Sequence, residues 1–283
     1  MSVRAGSFEA ERFATRDLDG LIDLLRETAQ VEILPRFRNL GADDIRTKTG
    51  PLDPVTIADE AAEARIATEL SKRWPSALIV GEEGCARDAS VLGQLAGAEL
   101  AFVLDPIDGT ANFAAGVPLF ATMLAVVMRG ETVAGLIHDP LGDETILGMR
   151  GGGAVLRTAD GKETRLSVSR QTDPAQMSGK AGWRYLPAPL GARVASNLAH
   201  VAASWDYRCA AYEYRVAICG TADFLLYGRM MPWDHLAGTL LYGEAGGHVA
   251  RFDGSAYRGE REGGLLCAPD VASWQALHRT LLG

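Results

Sequence analysis

The sequence has few features that would suggest a membrane protein, a disulfide framework or a nucleic-acid-binding surface. It contains no run of about 18 apolar residues, so we expect no membrane-spanning helix. Basic residues are in deficit, with 28 Lys and Arg against 36 Asp and Glu, and the resulting net charge of −8 disfavours binding to nucleic acid. The cysteines are far apart without CxxC spacing, which predicts free thiols rather than zinc knuckles or disulfides: Cys85, Cys209, Cys219 and Cys267.

The composition is that of a folded protein. Of the 283 residues, 47% are hydrophobic, which is enough for a large core in one domain or in two packed lobes. The first 20 residues carry several charges and no apolar signal segment, so we expect a cytoplasmic protein. No internal repeat or low-complexity tract occurs.

Hydrophobic spacing predicts alternating helices and strands. Helices are expected at about 17–34, ended or kinked by Pro35, and at Ile57–Arg73, which Trp74-Pro75 stops. Short apolar runs predict buried strands that end at acidic residues, at 78–80 and 100–104, and further strands at 120–128, 132–138 and 145–149. A turn-rich segment at 158–193 precedes helices at 212–219, 234–245 and 271–282 and strands at 223–227 and 265–267.

This order predicts an α+β protein with two lobes. The N-terminal lobe, residues 1–155, would be built on an antiparallel sheet. The C-terminal lobe, residues 156–283, would have a more α/β character.

The most informative motif is Asp105-Pro106-Ile107-Asp108-Gly109-Thr110-Ala111-Asn112-Phe113. Asp105 and Asp108 flank a turn that Pro106 forces, so their carboxylates could converge on a hard cation, to which the Ile107 carbonyl could add a ligand. Backbone N–H groups of the next two residues could face an anion. The alternative is an ordinary Asp-Pro and Asp-Gly turn.

Three other acidic motifs have equally simple alternatives. Glu82 follows a predicted strand within Gly81-Glu82-Glu83-Gly84, where loop charge is the default. Asp234 stands at the expected start of a helix, where it could act as an N-cap or aim a carboxylate into the same cleft. Asp59 lies in the first turn of the second helix, where the helix dipole favours an acid. His235 is expected to be a packed or surface residue rather than a ligand.

In this order and combination, the motifs resemble the inositol monophosphatase family from about residue 15 to 270. The members of this family are Mg²⁺-dependent, lithium-sensitive phosphomonoesterases. The resemblance implies the layered α-β-α-β-α sandwich of the inositol monophosphatase and fructose-1,6-bisphosphatase type, an active site between the lobes, and a homodimer.

The resemblance also implies roles for individual residues. Two or three Mg²⁺ ions would be held by Glu82, Asp105, the Ile107 carbonyl, Asp108 and Asp234. Glu82, Thr110 and Asp59 would be catalytic, positioning and activating a water that attacks phosphorus directly. Substrate would be bound by Gly109, Thr110, Glu213 and Asp234. The all-oxygen ligand set favours Mg²⁺ over Zn²⁺.

The sequence departs from the family where substrates are chosen. Inositol-specific members carry an acid seven residues before the Trp-Asp aspartate, and Tyr227 stands there in this chain. Tyr212 adds bulk to the loop that meets the substrate. Glu213 either takes over hydroxyl binding or is a surface charge.

Three arginines surround this region and either meet a second anionic group or pair with surface acids: Arg208, Arg215 and Arg229. Inositol 1-phosphate is the first substrate expectation, with histidinol phosphate, fructose 1,6-bisphosphate and 3′-phosphoadenosine 5′-phosphate as alternatives.

A regulatory, protein-binding role is an alternative of another class, since some bacterial members of the family associate with the transcription machinery. The presence of the four metal-site carboxylates and Thr110 argues against an inactive scaffold. The expected partners are a small phosphorylated metabolite and a second copy of the chain, with no nucleic acid and no membrane.

Overall fold

The computed structural model describes residues 13–48, 50 and 53–283. The first 12 residues of the predicted N-terminal lobe lie outside the described residues, as do Thr49, Pro51 and Leu52. Within the described ranges, no helix is long and apolar enough to cross a membrane.

The secondary structure alternates much as the hydrophobic spacing predicts. The α-helices are α1 (Asp17–Thr28), α2 (Ile57–Arg73), α3 (Glu82–Arg87), α4 (Thr110–Ala114), α5 (Leu190–Asn197), α6 (Ala210–Ile218), α7 (Pro232–Glu244) and α8 (Val271–Leu282). The strands are β1 (Ile45–Thr47), β2 (Pro54–Thr56), β3 (Leu78–Gly81), β4 (Ala101–Asp108), β5 (Ala121–Met128), β6 (Glu131–Asp139), β7 (Glu144–Met149), β8 (Gly153–Arg157), β9 (Glu163–Arg165), β10 (Ser178–Ala181), β11 (Ala203–Trp205), β12 (Phe224–Tyr227), β13 (His248–Arg251) and β14 (Leu265–Ala268).

Five layers stack in the order α-β-α-β-α, as expected. In the described residues, β3 to β9 form a seven-stranded sheet that is antiparallel except for the β3–β4 pair. Helices α1 and α2 cover its outer face, while α6 and α7 lie between it and a mixed five-stranded sheet of order β11-β10-β12-β14-β13. Helices α5 and α8 cover the far face of the second sheet. Apolar clusters fill each of these interfaces.

The first helix is shorter than its apolar pattern predicts. α1 ends at Thr28, and the chain continues through a π-helical turn, Ala29–Ile33, and a 3₁₀ turn, Leu34–Arg36. The apolar stripe continues across these turns because Ala29 and Ile33 are still buried. A buried stripe therefore does not distinguish an α-helical turn from a π-helical one.

The first sheet extends further along the chain than the predicted lobe boundary. Position 155 lies inside β8, and β9 still pairs with β8. Glycines make the turn between β7 and β8, where Gly151 and Gly153 have φ of 78° and 83°. The turn-rich segment 158–193 also contains regular structure, namely β9, β10 and the start of α5.

Candidate functional site

A β-bulge brings the two aspartates of the central motif to the same side of β4. Asp105 pairs with Met123 and Asp108 with Ala121, so β4 advances three residues while β5 advances two. In a regular strand, residues three apart point to opposite faces, and the extra residue of a bulge removes that difference. Pro106 lies inside the bulge and has no N–H for the ladder. Both aspartates line one cleft.

Glu82 enters the same cleft from the junction of β3 and α3. It is the first residue of α3, and β3 runs parallel to β4, so both strands deliver acids at the same edge. The Lys48 ammonium lies 2.6 Å from Glu82 Oε1 and 2.8 Å from Glu83 Oε1. Burial lowers the pKa of Lys48, but the two carboxylates outweigh that effect and raise it above its ordinary value.

Asp234 completes a group of three carboxylates. It is the third residue of α7, whose N-cap is Met231, so the N-cap interpretation of Asp234 is wrong. The helix begins two residues before Asp234 because the fixed φ of Pro232 suits the first position of a helix. Carboxylate oxygens of Glu82, Asp105 and Asp234 all lie within 4.8 Å of one another.

This crowding changes the electrostatics of the cluster. Burial, followed by the charges of Glu82 and Asp108, raises the pKa values of Asp105 and Asp234 well above their ordinary range. Burial also raises the pKa of Asp108 to about 6. Carboxylates packed in this way resist ionising together unless a cation neutralises them.

The donor chemistry therefore fits a hard divalent cation. The group of Glu82, Asp105 and Asp234 offers only carboxylate oxygens, with no His or Cys among its members. The Ile107 carbonyl belongs to the same bulge, and its oxygen lies 3.0 Å from Thr110 Oγ1.

Asp59 and Thr110 form a hydrogen-bonded pair beside the cluster. Asp59 closes the capping box of α2 through Thr56, and its Oδ1 accepts a hydrogen bond of 2.9 Å from Thr110 Oγ1. Burial raises the pKa of Asp59 to about 6 despite these hydrogen bonds. Asp59 thus lies in the first turn of α2 as expected, and the same carboxylate also reaches the cleft motif.

The turn after β4 requires glycine at position 109. Gly109 has φ of 89°, and an added Cβ would lie 2.7 Å from the Leu119 carbonyl oxygen. Its backbone therefore approaches the Leu119 carbonyl more closely than a residue with a Cβ would permit. Gly109 and Thr110 both line the cleft.

Asp108 has a structural task in addition to its place in the cleft. Its Oδ2 accepts the Ala211 N–H at 2.5 Å and lies 3.3 Å from Cys209 Sγ. This carboxylate thus ties the first sheet to the start of α6.

Glu213 is neither a surface charge nor a free acceptor. It is fully buried, with Oε2 2.7 Å from Lys180 Nζ and Oε1 3.1 Å from the Tyr207 N–H. The surface-charge alternative is therefore wrong. Each Glu213 oxygen already accepts one hydrogen bond, so a substrate hydroxyl would have to share an oxygen with Lys180 or with the Tyr207 N–H.

The other residues that the sequence analysis linked to substrate choice lie partly in the cleft and partly outside it. Tyr227, Arg208 and Arg229 line the cleft. Tyr212 instead donates a hydrogen bond of 3.0 Å to Asp139, and Arg215 pairs with Glu144. His235 is packed as expected, since its ring nitrogens lie 3.2 Å from Tyr214 Oη and 3.2 Å from the Arg229 carbonyl.

Two contributors to the site were not predicted from the sequence. Lys180, the partner of Glu213, is a single charge within the small residues of β10, and that contrast is the only sequence signal for it. Glu63 is buried and accepts the N–H groups of Glu83 and Gly84 at 2.7 and 2.6 Å, so it holds the start of α3 next to Glu82. Its position on α2 resembles that of any helix-surface glutamate.

The fold agrees with the comparisons with known proteins. The model of the inositol monophosphatase family matches residues 17–282, and the chain belongs to this family. The fructose-1,6-bisphosphatase/inositol-1-monophosphatase of Thermotoga maritima is 31% identical over 84% of this chain and 85% of the relative. Nus factor SuhB of Haemophilus influenzae is 31% identical over 82% of this chain and 84% of the relative. The solved extragenic suppressor protein suhB of Bartonella henselae superposes with a TM-score of 0.78, at 25% identity, over 94% of this chain and 98% of that one.

Proposed function

We propose that the protein hydrolyses a small phosphomonoester with Mg²⁺ as cofactor. The observation that carries the proposal is the group of carboxylate oxygens within 4.8 Å of one another in the cleft. Bound Mg²⁺ would neutralise the phosphate and lower the pKa of a nearby water. The proposed ligands, for two or three ions, are Glu82, Asp105, the Ile107 carbonyl, Asp108 and Asp234.

The chain's own residues then position the reactants. Because Thr110 Oγ1 donates to Asp59, the lone pairs of the hydroxyl are free to accept a hydrogen bond from the attacking water. Asp59, with a pKa of about 6, is suited to take up a proton near neutral pH, and Glu82 lies close to the same place. Gly109 and Thr110 would present backbone N–H groups to the phosphate, and Asp234 would contact the ester.

Inorganic phosphate release tests this reaction. Inositol 1-phosphate is the reference substrate, and histidinol phosphate, fructose 1,6-bisphosphate and 3′-phosphoadenosine 5′-phosphate complete the panel. We expect turnover with Mg²⁺, none with chelator, and inhibition by lithium. Absence of Mg²⁺-dependent turnover across the panel and with p-nitrophenyl phosphate would refute the proposal.

Asp234→Asn is the sharpest test of the carboxylate cluster. The substitution keeps the shape and removes one charge from the proposed ligand set. We expect kcat/KM to fall by about 10³-fold, since charge stabilisation of this kind contributes several kcal/mol. Circular dichroism should be unchanged. The exposed Asp43→Asn is the matched control, and near-wild-type activity of Asp234→Asn would remove this residue from the ligand set.

Localisation and assembly follow from the family resemblance. We propose that the protein works in the cytoplasm as a homodimer. Sedimentation equilibrium should give twice the chain mass of 30.2 kDa, and a monomer mass across micromolar concentrations would contradict the dimer.

A second candidate function is regulatory binding to a protein of the transcription machinery. The name of the Haemophilus influenzae relative, Nus factor SuhB, favours it. Co-elution with purified bacterial RNA polymerase, retained in Asp234→Asn, would support a role separate from catalysis. Failure to co-elute would count against it.

A further inference from the structure

The C-terminal lobe contributes a buried ion pair to the cleft. The side chains of Lys180 and Glu213 are 9% and 0% exposed, and their charged atoms are 2.7 Å apart. The Lys180 ammonium also lies 4.1 Å from the centre of the Tyr227 ring. An ammonium has three N–H donors, and among the described residues only Glu213 accepts one of them from Lys180. Lys180 therefore has donors left for another acceptor.

Tyr227 adds a second unused donor at the same place. It is 4% exposed and lines the cleft, and its buried hydroxyl forms no well-aligned hydrogen bond among the described residues, with the Glu213 carboxylate close by. Burial, followed by the nearby Glu213 charge, raises the pKa of Tyr227 well above its ordinary value, so the hydroxyl keeps its proton. Buried polar groups are nearly always hydrogen-bonded, which makes this one a candidate contact for a ligand.

Two exposed arginines stand beside these donors. Arg208 and Arg229 line the cleft, and neither guanidinium forms an ion pair within the described part of the chain. The backbone of Arg208 has φ of 54°, a conformation uncommon for residues other than glycine, and the Asp206 carboxylate accepts its N–H at 2.8 Å. Such conformations cluster at ligand-binding sites.

The charges of this region leave a net positive balance. We call Lys180, Asp206, Arg208, Glu213, Tyr227 and Arg229 the substrate wall. It carries three cationic side chains and two anionic ones. Glu213 is committed to Lys180 and to a backbone N–H, so the wall offers mainly donors. A neutral polyol needs acceptors for its hydroxyl protons, whereas a phosphate or a carboxylate supplies acceptors and negative charge.

We propose that the substrate wall binds a second anionic group, so that the substrates are phosphomonoesters carrying a further phosphate or carboxylate. The inference rests on the proposed hydrolysis at the carboxylate cluster. Arg208 and Arg229 supply charge at the mouth of the cleft, and Lys180 and Tyr227 donate from its buried side. Arginine suits this role because its planar fork of N–H groups matches both anions.

Matched substrate pairs test the proposal. One pair is fructose 1,6-bisphosphate and fructose 1-phosphate, and the other is 3-phosphoglycerate and glycerol 3-phosphate. We expect kcat/KM to be at least tenfold higher for the more anionic member of at least one pair. This exceeds the factor of two that fructose 1,6-bisphosphate gains simply from having two hydrolysable esters. The pair that responds identifies phosphate or carboxylate as the second group.

Variants connect the preference to the wall. Arg229→Gln and Arg208→Gln should each lower the ratio of kcat/KM values by about fivefold or more, because the loss falls on the more anionic member. Arg170→Gln, which removes an exposed charge outside the cleft, should leave the ratio unchanged. A wild-type ratio near one in both pairs, or an unchanged ratio in both arginine variants, would overturn the proposal.

A separate measurement distinguishes this failure from failure of the proposed function. Hydrolysis of p-nitrophenyl phosphate, which has no second anion, tests the reaction alone. If that hydrolysis is absent, calorimetric titration of the same pairs in Mg²⁺ still tests the wall. A tenfold difference in Kd that shrinks in Arg229→Gln supports it, and equal Kd values refute it.

Discussion

Replacing Lys180 with methionine should destabilise the fold strongly, because it leaves a buried carboxylate without its cation. Glu213 is 0% exposed and lies 2.7 Å from Lys180. Breaking a buried pair from one side costs about 3–5 kcal/mol. Burial already raises the pKa of Glu213 to about 7, while Lys180 holds it down. The destabilisation should therefore be larger at pH 8 than at pH 5, where Glu213 is protonated in both proteins.

Lys72→Met provides a matched control. Lys72 also lies 2.7 Å from its partner, Glu69, but these side chains are 66% and 46% exposed. Such surface pairs contribute about 0–1 kcal/mol. Urea unfolding at pH 8, followed by circular dichroism, measures both variants. The double variant Lys180→Met/Glu213→Leu should recover much of the loss, since an apolar pair can replace a buried ion pair. Equal destabilisation by Lys180→Met and Lys72→Met would refute the reasoning.

Two further predictions concern pH and catalysis. Burial lowers the pKa of His138 from 6.5 to about 4. The unfolded chain therefore binds the proton more readily, and stability falls as the pH drops below 6.5. Between pH 7.5 and 5 this group should lower the free energy of unfolding by about 2 kcal/mol. Urea unfolding of His138→Gln should not show this loss. An identical pH dependence in both proteins would contradict the assignment. Thr110→Val removes the hydroxyl that donates to Asp59. It should lower kcat by about 10²-fold with little change in KM, whereas Thr68→Val, which loses a bond from an exposed hydroxyl to the Ala64 carbonyl, should leave both unchanged. A kcat of Thr110→Val equal to that of Thr68→Val would contradict a role for the hydroxyl in the reaction.

Elements with local end signals could be predicted from the sequence. Helices α2 and α8 begin and end where expected. Thr56 and Asp270 cap them, and Trp74-Pro75 follows α2. These signals act over a few residues, so they need no knowledge of the fold. The layered fold itself followed from the family resemblance, because hydrophobic spacing alone fits several α+β arrangements.

The substrate end of the site could not be predicted in the same way. The partner of Glu213 is Lys180, which lies 33 residues earlier in the chain and on a strand rather than on the same helix. Only the packing of β10 beside β12 brings Lys180 and Tyr227 together. The predicted position of Asp234 within its helix was wrong by three residues, since the N-cap is Met231. An acid at the N-cap and an acid in the first turn give the same sequence pattern.

The β4 bulge sets a limit on how this chain can change in length. One added residue separates the pairing of Asp105 from that of Asp108. Deleting a residue between them, or inserting another, would turn one carboxylate to the opposite face of the sheet. Substitutions elsewhere in the cleft change individual contacts, but an insertion or deletion here would dismantle the carboxylate cluster. The three-residue spacing of these aspartates should therefore tolerate no length variation among chains that keep the site.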